Sequence, residues 1–519
     1  LKEAMNRHFR RFEEMRSDFP PAGYATVDHV EMSPRGDVII ALDVVDGDWF
    51  ESSSFWQQAG ISDYQHQKLL KQKLTPSPGV NPFEDASLYR VEVTLSPTDG
   101  AAYRHPFGYP HAADYESKGE PNGWYQSFER AWFHLSFSTA PVPGAVPANV
   151  YSNLFAPPTT VYVQGTMPSG KAGKLLTQAF SFAHLPTADE RFLAPRLQRV
   201  CADLLAIYDV GQGNCNSFLK NQVSSAFPTL YYDLGAGVYR NSSTTPTNLV
   251  FCFSRVDTVI LSHWDADHWA GAYAMMAPAS AGAPGAGTYP ALSKTWLAPE
   301  QKAGPVHLAF AYDIVANGGD VFIYKPSTSS PVHVNIAASR QLIIAVGNGG
   351  DRNNTGIVLM AEDTSMPPSK RWLLTGDCDY SYIDASQTDE PLVGLVAPHH
   401  GATLGRWSSA PAPDSGGYCR LAYSFGSDNK HGKNTQHPTK GGADLHRIAG
   451  WDHGAWKVNE PGDCLAGADV LHTEQHTKAG FGGVTGQLGG VVVGWTSAPA
   501  APLSVPCGGL NCSTPVTQS

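Results

Sequence analysis

The densest concentration of reactive side chains runs from Ser262 to Gly271, Ser-His-Trp-Asp-Ala-Asp-His-Trp-Ala-Gly. His263, Asp265, Asp267 and His268 place two imidazoles and two carboxylates within six residues, directly after the apolar run 259–261. Carboxylates held at the end of a buried strand repel each other and lose hydration, so the arrangement is costly unless a cation compensates it. Imidazole nitrogen mixed with carboxylate oxygen suits Zn²⁺, Mn²⁺ or iron, where an all-oxygen set would suit Mg²⁺ or Ca²⁺. A charged turn in which Asp267 favours a helix N-terminus is the weaker account for four such groups together.

Three further fragments follow in order. Trp372-Leu-Leu-Thr-Gly-Asp377 is an apolar run delivering a carboxylate, Leu395-Val-Ala-Pro-His399-His400-Gly401 delivers two imidazoles, and His437 precedes Pro438. Gly-Asp turns and single His-Pro pairs are common, so each fragment says little alone; the ordered set carries the signal. Upstream, Gly211-Gln-Gly213-Asn214 is a glycine-bearing turn that could present backbone N–H groups to a charge or serve only as a turn. Trp264 and Trp269 flank the first motif as core or as a substrate wall, and Asp379 is either a turn residue or a ligand.

The elements that position these groups read as short apolar strands ending in Gly, Asp or His: 204–210, 229–233, 258–261, 342–346, 356–360, 372–374 and 392–396. Buried strands that deliver polar residues at their ends describe an α/β enzyme. Before them, β-branched and aromatic runs at 24–32, 38–45, 88–95, 131–137 and 160–165, separated by Pro, Gly, Asp and Ser, predict a β-rich N-terminal domain. It follows an opening helix spaced on Leu1, Met5, Phe9, Phe12 and Met15. Its histidines, His105, His111 and His134, are isolated and predict surface or satisfied roles. The expected division is 1–200 for the β-rich domain, 201–495 for the α/β domain and 496–519 for a loose tail, with a Gly/Ala/Pro loop at 277–290. The connection 185–194 has no flexible linker character.

Taken together, Ile207-Tyr-Asp209-Val-Gly211-Gln-Gly213-Asn214-Cys215, Tyr232-Asp233-Leu-Gly235, the His263 to His268 motif, Asn353-Asn354-Thr, Thr375-Gly-Asp377, His399-His400-Gly401 and His437-Pro438 resemble the metallo-β-lactamase superfamily. Within it the chain is similar to the branch of ComEC-like DNA-uptake proteins and phosphorylcholine esterases, in which a carboxylate stands where Asp265 is. The resemblance covers about residues 203–450 and implies an αβ/βα four-layer sandwich. It also implies two divalent metal ions, Zn²⁺ or Mn²⁺, the harder oxygen of Asp265 tilting the choice toward Mn²⁺. One metal would take His263, Asp265 and His400, the other Asp267, His268 and His437, with Asp377 bridging. His399 is left to face substrate, although either of the adjacent histidines can fill the ligand position. Asp233 would orient a ligating histidine. Asp267, Asp377 and His399 are the catalytic candidates.

The resemblance implies a hydrolase with a metal-bridged hydroxide as nucleophile, a phosphodiesterase or nuclease fitting best, since two adjacent cations stabilise charge on a phosphoryl oxygen. An ester, lactone or amide hydrolase on the same metals is the alternative, and a binding protein with structural metals is a third reading. Bulk properties narrow the substrate. Thirty-six Lys and Arg against 47 Asp and Glu give a net charge of −11, which opposes attraction to a phosphate polymer. A phosphodiester or small-molecule substrate is expected, with nucleic acid left open as a partner that the net charge does not support. No apolar run approaches the ~18 residues of a membrane span, which predicts a cytoplasmic protein without a membrane partner, while the absence of Met at position 1 leaves room for a removed leader. The eight cysteines are scattered through the 519 residues and predict reduced thiols, a Cys507/Cys512 bridge being the exception.

Overall fold

The computed structural model describes residues 6–10, 19–32, 37–52, 62–99, 107, 131–222, 225–246, 249, 251–274, 289–429, 436–458, 468–474, 489–499, 506–507, 510–511 and 516–518. Most of the opening helix, His105, His111, nearly all of the 277–290 loop and much of the tail lie outside these residues. The chain divides into two compact units, the first comprising Leu1–Leu185 with Lys302–Asn317 and the second Pro186–Gln301 with Gly318–Ser519. The chain therefore passes between units three times. Among the described residues no helix is long and apolar enough to cross a membrane.

The first unit is a closed antiparallel barrel of β1 (Ala22–Met32), β2 (Val38–Asp46), β3 (Leu88–Leu95), β4 (Trp132–Ser138), β5 (Val146–Tyr151) and β6 (Thr159–Thr166), in the order β1-β2-β3-β5-β6-β4. Five of these strands coincide with the expected runs. The sequence Val-Pro-Ala-Asn-Val-Tyr of β5 hides its period-two pattern behind a proline and an alanine. Val38, Ile40, Leu42 and Val44 of β2 join Val91 and Val93 of β3 in the barrel core, so Asp43 and Arg90 project from the other face. These two residues sit opposite each other in the β2–β3 ladder. A register shift between Val27 and His29 makes Asp28 the extra residue of a β-bulge, the usual device for re-aiming one side chain. His134 packs edge-on to Tyr24 with centroids 5.2 Å apart and is a partly buried residue of β4.

The segment that the first unit takes from the middle of the chain is helix α1 (Pro305–Ala316), in which every residue from Pro305 to Val315 is buried. Its sequence, Pro-Val-His-Leu-Ala-Phe-Ala-Tyr-Asp-Ile-Val-Ala, is apolar apart from His307, Tyr312 and Asp313, as suits a fully covered helix. Asn81 Nδ2 donates to Ala309 O at 3.1 Å and to Asp313, and Tyr312 hydroxyl donates to Leu74 O. Lys302 Nζ donates to Val27 O at 2.9 Å.

The second unit contains two large sheets. One is built from β7 (Thr187–Ala188), β8 (Leu204–Ile207), β9 (Cys215–Gln222), β10 (Ser225–Leu234), β11 (Thr258–Ile260), β12 (Thr295–Pro299), β13 (Asp320–Tyr324), β21 (Gly490–Val493) and β22 (Val516–Gln518), in the order β22-β21-β8-β9-β10-β11-β12-β13-β7. The other runs in chain order through β14 (Val332–Ala337), β15 (Arg340–Val346), β16 (Ile357–Asp363), β17 (Lys370–Leu374), β18 (Gly394–Val396), β19 (Arg420–Tyr423) and β20 (Val470–His472). Leu205, Ile207, Phe218 and Ile260 of the first sheet share one core with Leu342, Ile344, Leu359 and Trp372 of the second, so the sheets pack face to face. Trp372 stacks on Trp495 with centroids 3.6 Å apart; burying a large side chain of this kind contributes roughly 1.5–3 kcal/mol.

Each sheet has a parallel half, β10 to β13 in one and β17 to β20 in the other. Asp233 lies at the carboxyl end of β10, and the loops that leave the carboxyl ends of β11, β17 and β18 carry His263 to His268, Asp377 and His399-His400. Carboxyl ends of parallel strands are where open α/β sheets place ligands. The connection at 185–194 is taken up by β7 and the start of a helix, Glu190–Leu197. Cys201, Cys215, Cys378 and Cys419 are free thiols. Cys252 is disulfide-bonded, against the expectation of a reduced thiol there, and the side chains of Cys507 and Cys512 lie outside the described residues.

Candidate metal centre

Buried strand ends fix the ligand candidates before any ion is considered. His263 follows β11 by three residues, and its neighbour Ser262 donates Oγ–H to Asp233 Oδ2 at 2.8 Å while lying 3.0 Å from His263 Nδ1. His268 Nδ1 lies 2.8 Å from the same carboxylate oxygen, and His400 Nδ1 lies 2.8 Å from Ser424 O. Each Nδ1 is thereby engaged, and each Nε2 is left facing a common space. Asp233, a positive-φ residue at +60°, also accepts from Ser262 N at 2.6 Å and from Asn214 Nδ2 at 3.1 Å. Its contact with His268 Nδ1 is the geometry that the orienting role implied by the resemblance would use.

Into that space Asp377 projects both oxygens. Oδ1 lies 3.1 Å from His268 Nε2, and Oδ2 lies 3.6 Å from His263 Nε2 and 3.7 Å from His399 Nε2. Asp265 Oδ2 is 3.3 Å from His263 Nε2, and Asp267 Oδ2 is 3.2 Å from His400 Nε2. Two groups of donors converge within metal-binding reach, His263 with His268 and Asp377, and Asp267 with His268 and His400. His268 has one free nitrogen and serves one cation, whereas Asp377 has an oxygen for each group. His263 Nε2, His268 Nε2 and Asp377 Oδ1 are buried without a hydrogen bond, a costly state for polar atoms unless a cation completes it. The residues fit divalent metal binding.

The placement of His400 differs from the set the resemblance implied. It lies beside Asp267 and His268, not beside His263 and Asp265. The backbone explains this: His399 and His400 both have positive φ, +48° and +54°, so the successive rings diverge, His400 inward and His399 to a partly open position with 26% of its side chain exposed. Two consecutive non-glycine residues in the left-handed region cost about 1–2 kcal/mol each, and such strain persists where surroundings over-determine it. Gly401 continues the turn at +83°, and a Cβ there would meet Pro438 and the Tyr423 ring at 2.6 Å. His437 is buried beside the ring of His399, centroids 5.3 Å apart, and that of His400 at 6.4 Å.

Without a cation, protons take its place. Burial alone would raise the pKa of Asp377, but His268, His399 and His263 hold it well below the carboxylate range. Burial alone would depress His268, yet Asp377 and Asp233 push it well above the ordinary imidazole value. His400, disfavoured as a cation by burial, is raised by Asp267. Asp267, which burial would raise, is lowered by His400 and His268. Metal binding at such a set displaces protons.

The remaining candidates have structural roles. All four N–H groups of the 211–214 turn are engaged, Gly211 with Asp209 Oδ1, Gln212 with Thr244 Oγ1, Gly213 with Gly211 O and Asn214 with Asp267 O. A Cβ at Gly235 would lie 1.8 Å from Asp267 O, so these glycines allow backbone to buttress the metal loop. Trp264 and Trp269 are buried with their Nε1–H groups donated to Pro299 O and Trp264 O, which makes them core. Asp379 accepts from Ser381 N at 2.9 Å and Gly405 N at 2.7 Å, a brace for the loops. Two residues passed over in the sequence bear on the site: Arg352, whose Nη1 lies 3.1 Å from Asp265 Oδ1, and Gln301, which ties Trp264 N to Arg352 O. Arg352 adjoins the Asn353-Asn354 motif, the one signal that pointed nearby.

No protein-family model and no curated protein matches the chain. Among solved structures it is similar to Zn²⁺-bound PqqB from Methylobacterium extorquens, at 12% identity and a TM-score of 0.21, covering 37% of this chain and 71% of that one. A likeness of that size carries no weight for fold or activity, and the function must be argued from the donor set itself.

Proposed function

We propose that the second unit is a dinuclear metal-dependent hydrolase of the metallo-β-lactamase type, acting on phosphodiesters, with its two packed sheets as the inner layers of the four-layer sandwich. The observation that supports this most is the convergence of His263, Asp267, His268, Asp377 and His400, in which His263 Nε2, His268 Nε2 and Asp377 Oδ1 are buried without a hydrogen bond, with Asp265 Oδ2 beside His263 Nε2 at 3.3 Å. Asp267, His268 and His400 would hold one cation, and His263 with Asp265 the other, Asp377 lending one oxygen to each. Such a pair supplies an activated water at neutral pH and positive charge for a phosphoryl oxygen.

The chain's own residues do the rest. Asp233 and Ser424 O keep the imidazoles in the tautomer that exposes Nε2. His399, partly exposed and 3.7 Å from Asp377 Oδ2, is placed to hold a proton for the leaving oxygen. The net charge of −11 favours a small diester over a long nucleic acid. The test is turnover of bis(p-nitrophenyl) phosphate beside p-nitrophenyl acetate, before and after chelation. Diester cleavage that stops on chelation and returns with Zn²⁺ or Mn²⁺ is expected. Cleavage of the carboxylic ester alone would move the reading to the ester class, and cleavage indifferent to chelation would overturn it.

A further inference from the structure

The metal loop contains a carboxylate, Asp265, between its first histidine and Asp267, and a carboxylate there adds a negative charge that an imidazole would not. The structure shows what offsets it. Arg352 Nη1 stands 3.1 Å from Asp265 Oδ1, an ion pair and not an aligned hydrogen bond, while Oδ2 of the same carboxylate faces His263 Nε2 at 3.3 Å. Both partners are shielded, with 13% and 18% of their side chains exposed. One oxygen is held by the guanidinium and the other is turned to the ligand space.

Arg352 is itself held from several sides. It lies in a turn closed by Asp351, which accepts from Asn354 N at 2.9 Å and from Asn354 Nδ2 at 2.8 Å. Gln301 Nε2 donates to Arg352 O at 2.6 Å and to Thr355 Oγ1 at 3.1 Å, and its Oε1 accepts from Trp264 N within the metal loop. Asn354 Oδ1 accepts from Asp379 N at 2.9 Å, two residues beyond Asp377. The 351–355 turn thus ties the loop of Asp265 to the loop of Asp377, with Arg352 at the joint.

We propose that Arg352 is a positioning residue for the metal centre: it fixes Asp265 as a one-oxygen ligand and cancels its charge, so that the Asp265–Arg352 pair occupies the place of a neutral imidazole. The inference rests on the metal-binding reading above. Partners that orient ligating groups are worth about 10- to 100-fold in metal affinity, and the guanidinium fork is not reproduced by an ammonium.

The experiment is a competition titration with a chromophoric chelator, giving the affinity of each metal equivalent, together with melting of the chelated full-length protein. Wild type is expected to bind two equivalents; if it binds none, the metal-binding reading and this inference fall together. In Arg352→Met one equivalent weakens about 10- to 100-fold, the other holds, and the melting temperature of the chelated protein is unchanged. Arg352→Lys recovers part of the loss. Asp265→His combined with Arg352→Met, neutral for neutral, recovers the second equivalent. Wild-type affinity for both metals in Arg352→Met would overturn the inference while leaving the function intact. So would equal weakening of both metals with a lower melting temperature, which marks a merely structural arginine, and so would failure of the double variant to recover.

Discussion

Two buried clusters of histidine and aspartate, one in each unit, offer donors to a metal at similar spacing, yet they differ in what completes them. In the barrel unit, Asp28, Asp43 and His307 lie within coordinating reach of one another. Arg90 enters between them, bonded to Asp28 and 3.5 Å from Asp43 Oδ1. His307 Nδ1 accepts from Gly304 N at 2.9 Å, so the imidazole is spent on the first turn of α1, and its Nε2 lies 3.3 Å from Asp28 Oδ1. In the second unit the ring nitrogens of His263 and His268 that face inward have no hydrogen bond, and the arginine present stands at the edge, on Asp265. Donor spacing therefore does not define a metal site. A set that already contains its counter-cation is a structural network, and a set whose lone pairs face each other calls for one.

The largest effect should separate the two clusters outright. Asp377→Ala is expected to empty both metal positions and lower diester turnover by on the order of 10³-fold or more, while Asp43→Asn leaves metal content and turnover at wild-type levels. Elemental analysis and the diester assay on the two variants decide it. Metal lost from the Asp43 variant would erase the distinction.

A second variant probes the barrel from the other side. Arg90→Met leaves Asp28 and Asp43 without their guanidinium, and an unpaired buried charge costs about 3–5 kcal/mol, read from urea denaturation of the full chain. Unchanged stability accompanied by an additional metal equivalent would show that the barrel cluster is a cation site after all.

The smallest expected effect is one of pH. Each unit buries a neutral imidazole, His8 in the barrel unit and His446 in the second, and burial lowers each pKa to about 3. The unfolded chain binds protons at these groups below about 6.5, while the folded chain does not until about 3, so stability is complete above about 6.5 and falls as pH drops through that window. His446→Gln, which keeps a hydrogen-bonding group near Tyr380 and Tyr423, is expected to flatten the acid limb of unfolding curves recorded between pH 7 and 4. An unchanged limb would assign the acid sensitivity elsewhere.

The site was more legible in the sequence than the architecture around it. His263 to His268, Asp377 and His400, the candidates that the structure brings together, were visible because strand ends are written as apolar runs followed by Gly, Asp or His. Asp233 was legible for the same reason. Arg352 was not, since one arginine in a turn has no local pattern and its partner Asp265 is 87 residues distant. The side taken by His400 was hidden in backbone dihedrals, which adjacent histidines do not disclose. In the first unit five strands were visible from alternation, but β5 was masked by Pro147 and Ala148. The membership of 302–317 in that unit was invisible, because a largely apolar helix says that it is buried and not against what.

The most direct test of the central claim is the metal content of full-length protein purified without chelator, measured beside Asp267→Ala. Close to two equivalents in the wild type, falling to about one in the variant, is the expected result. A single equivalent that Asp267→Ala does not change would contradict the dinuclear site.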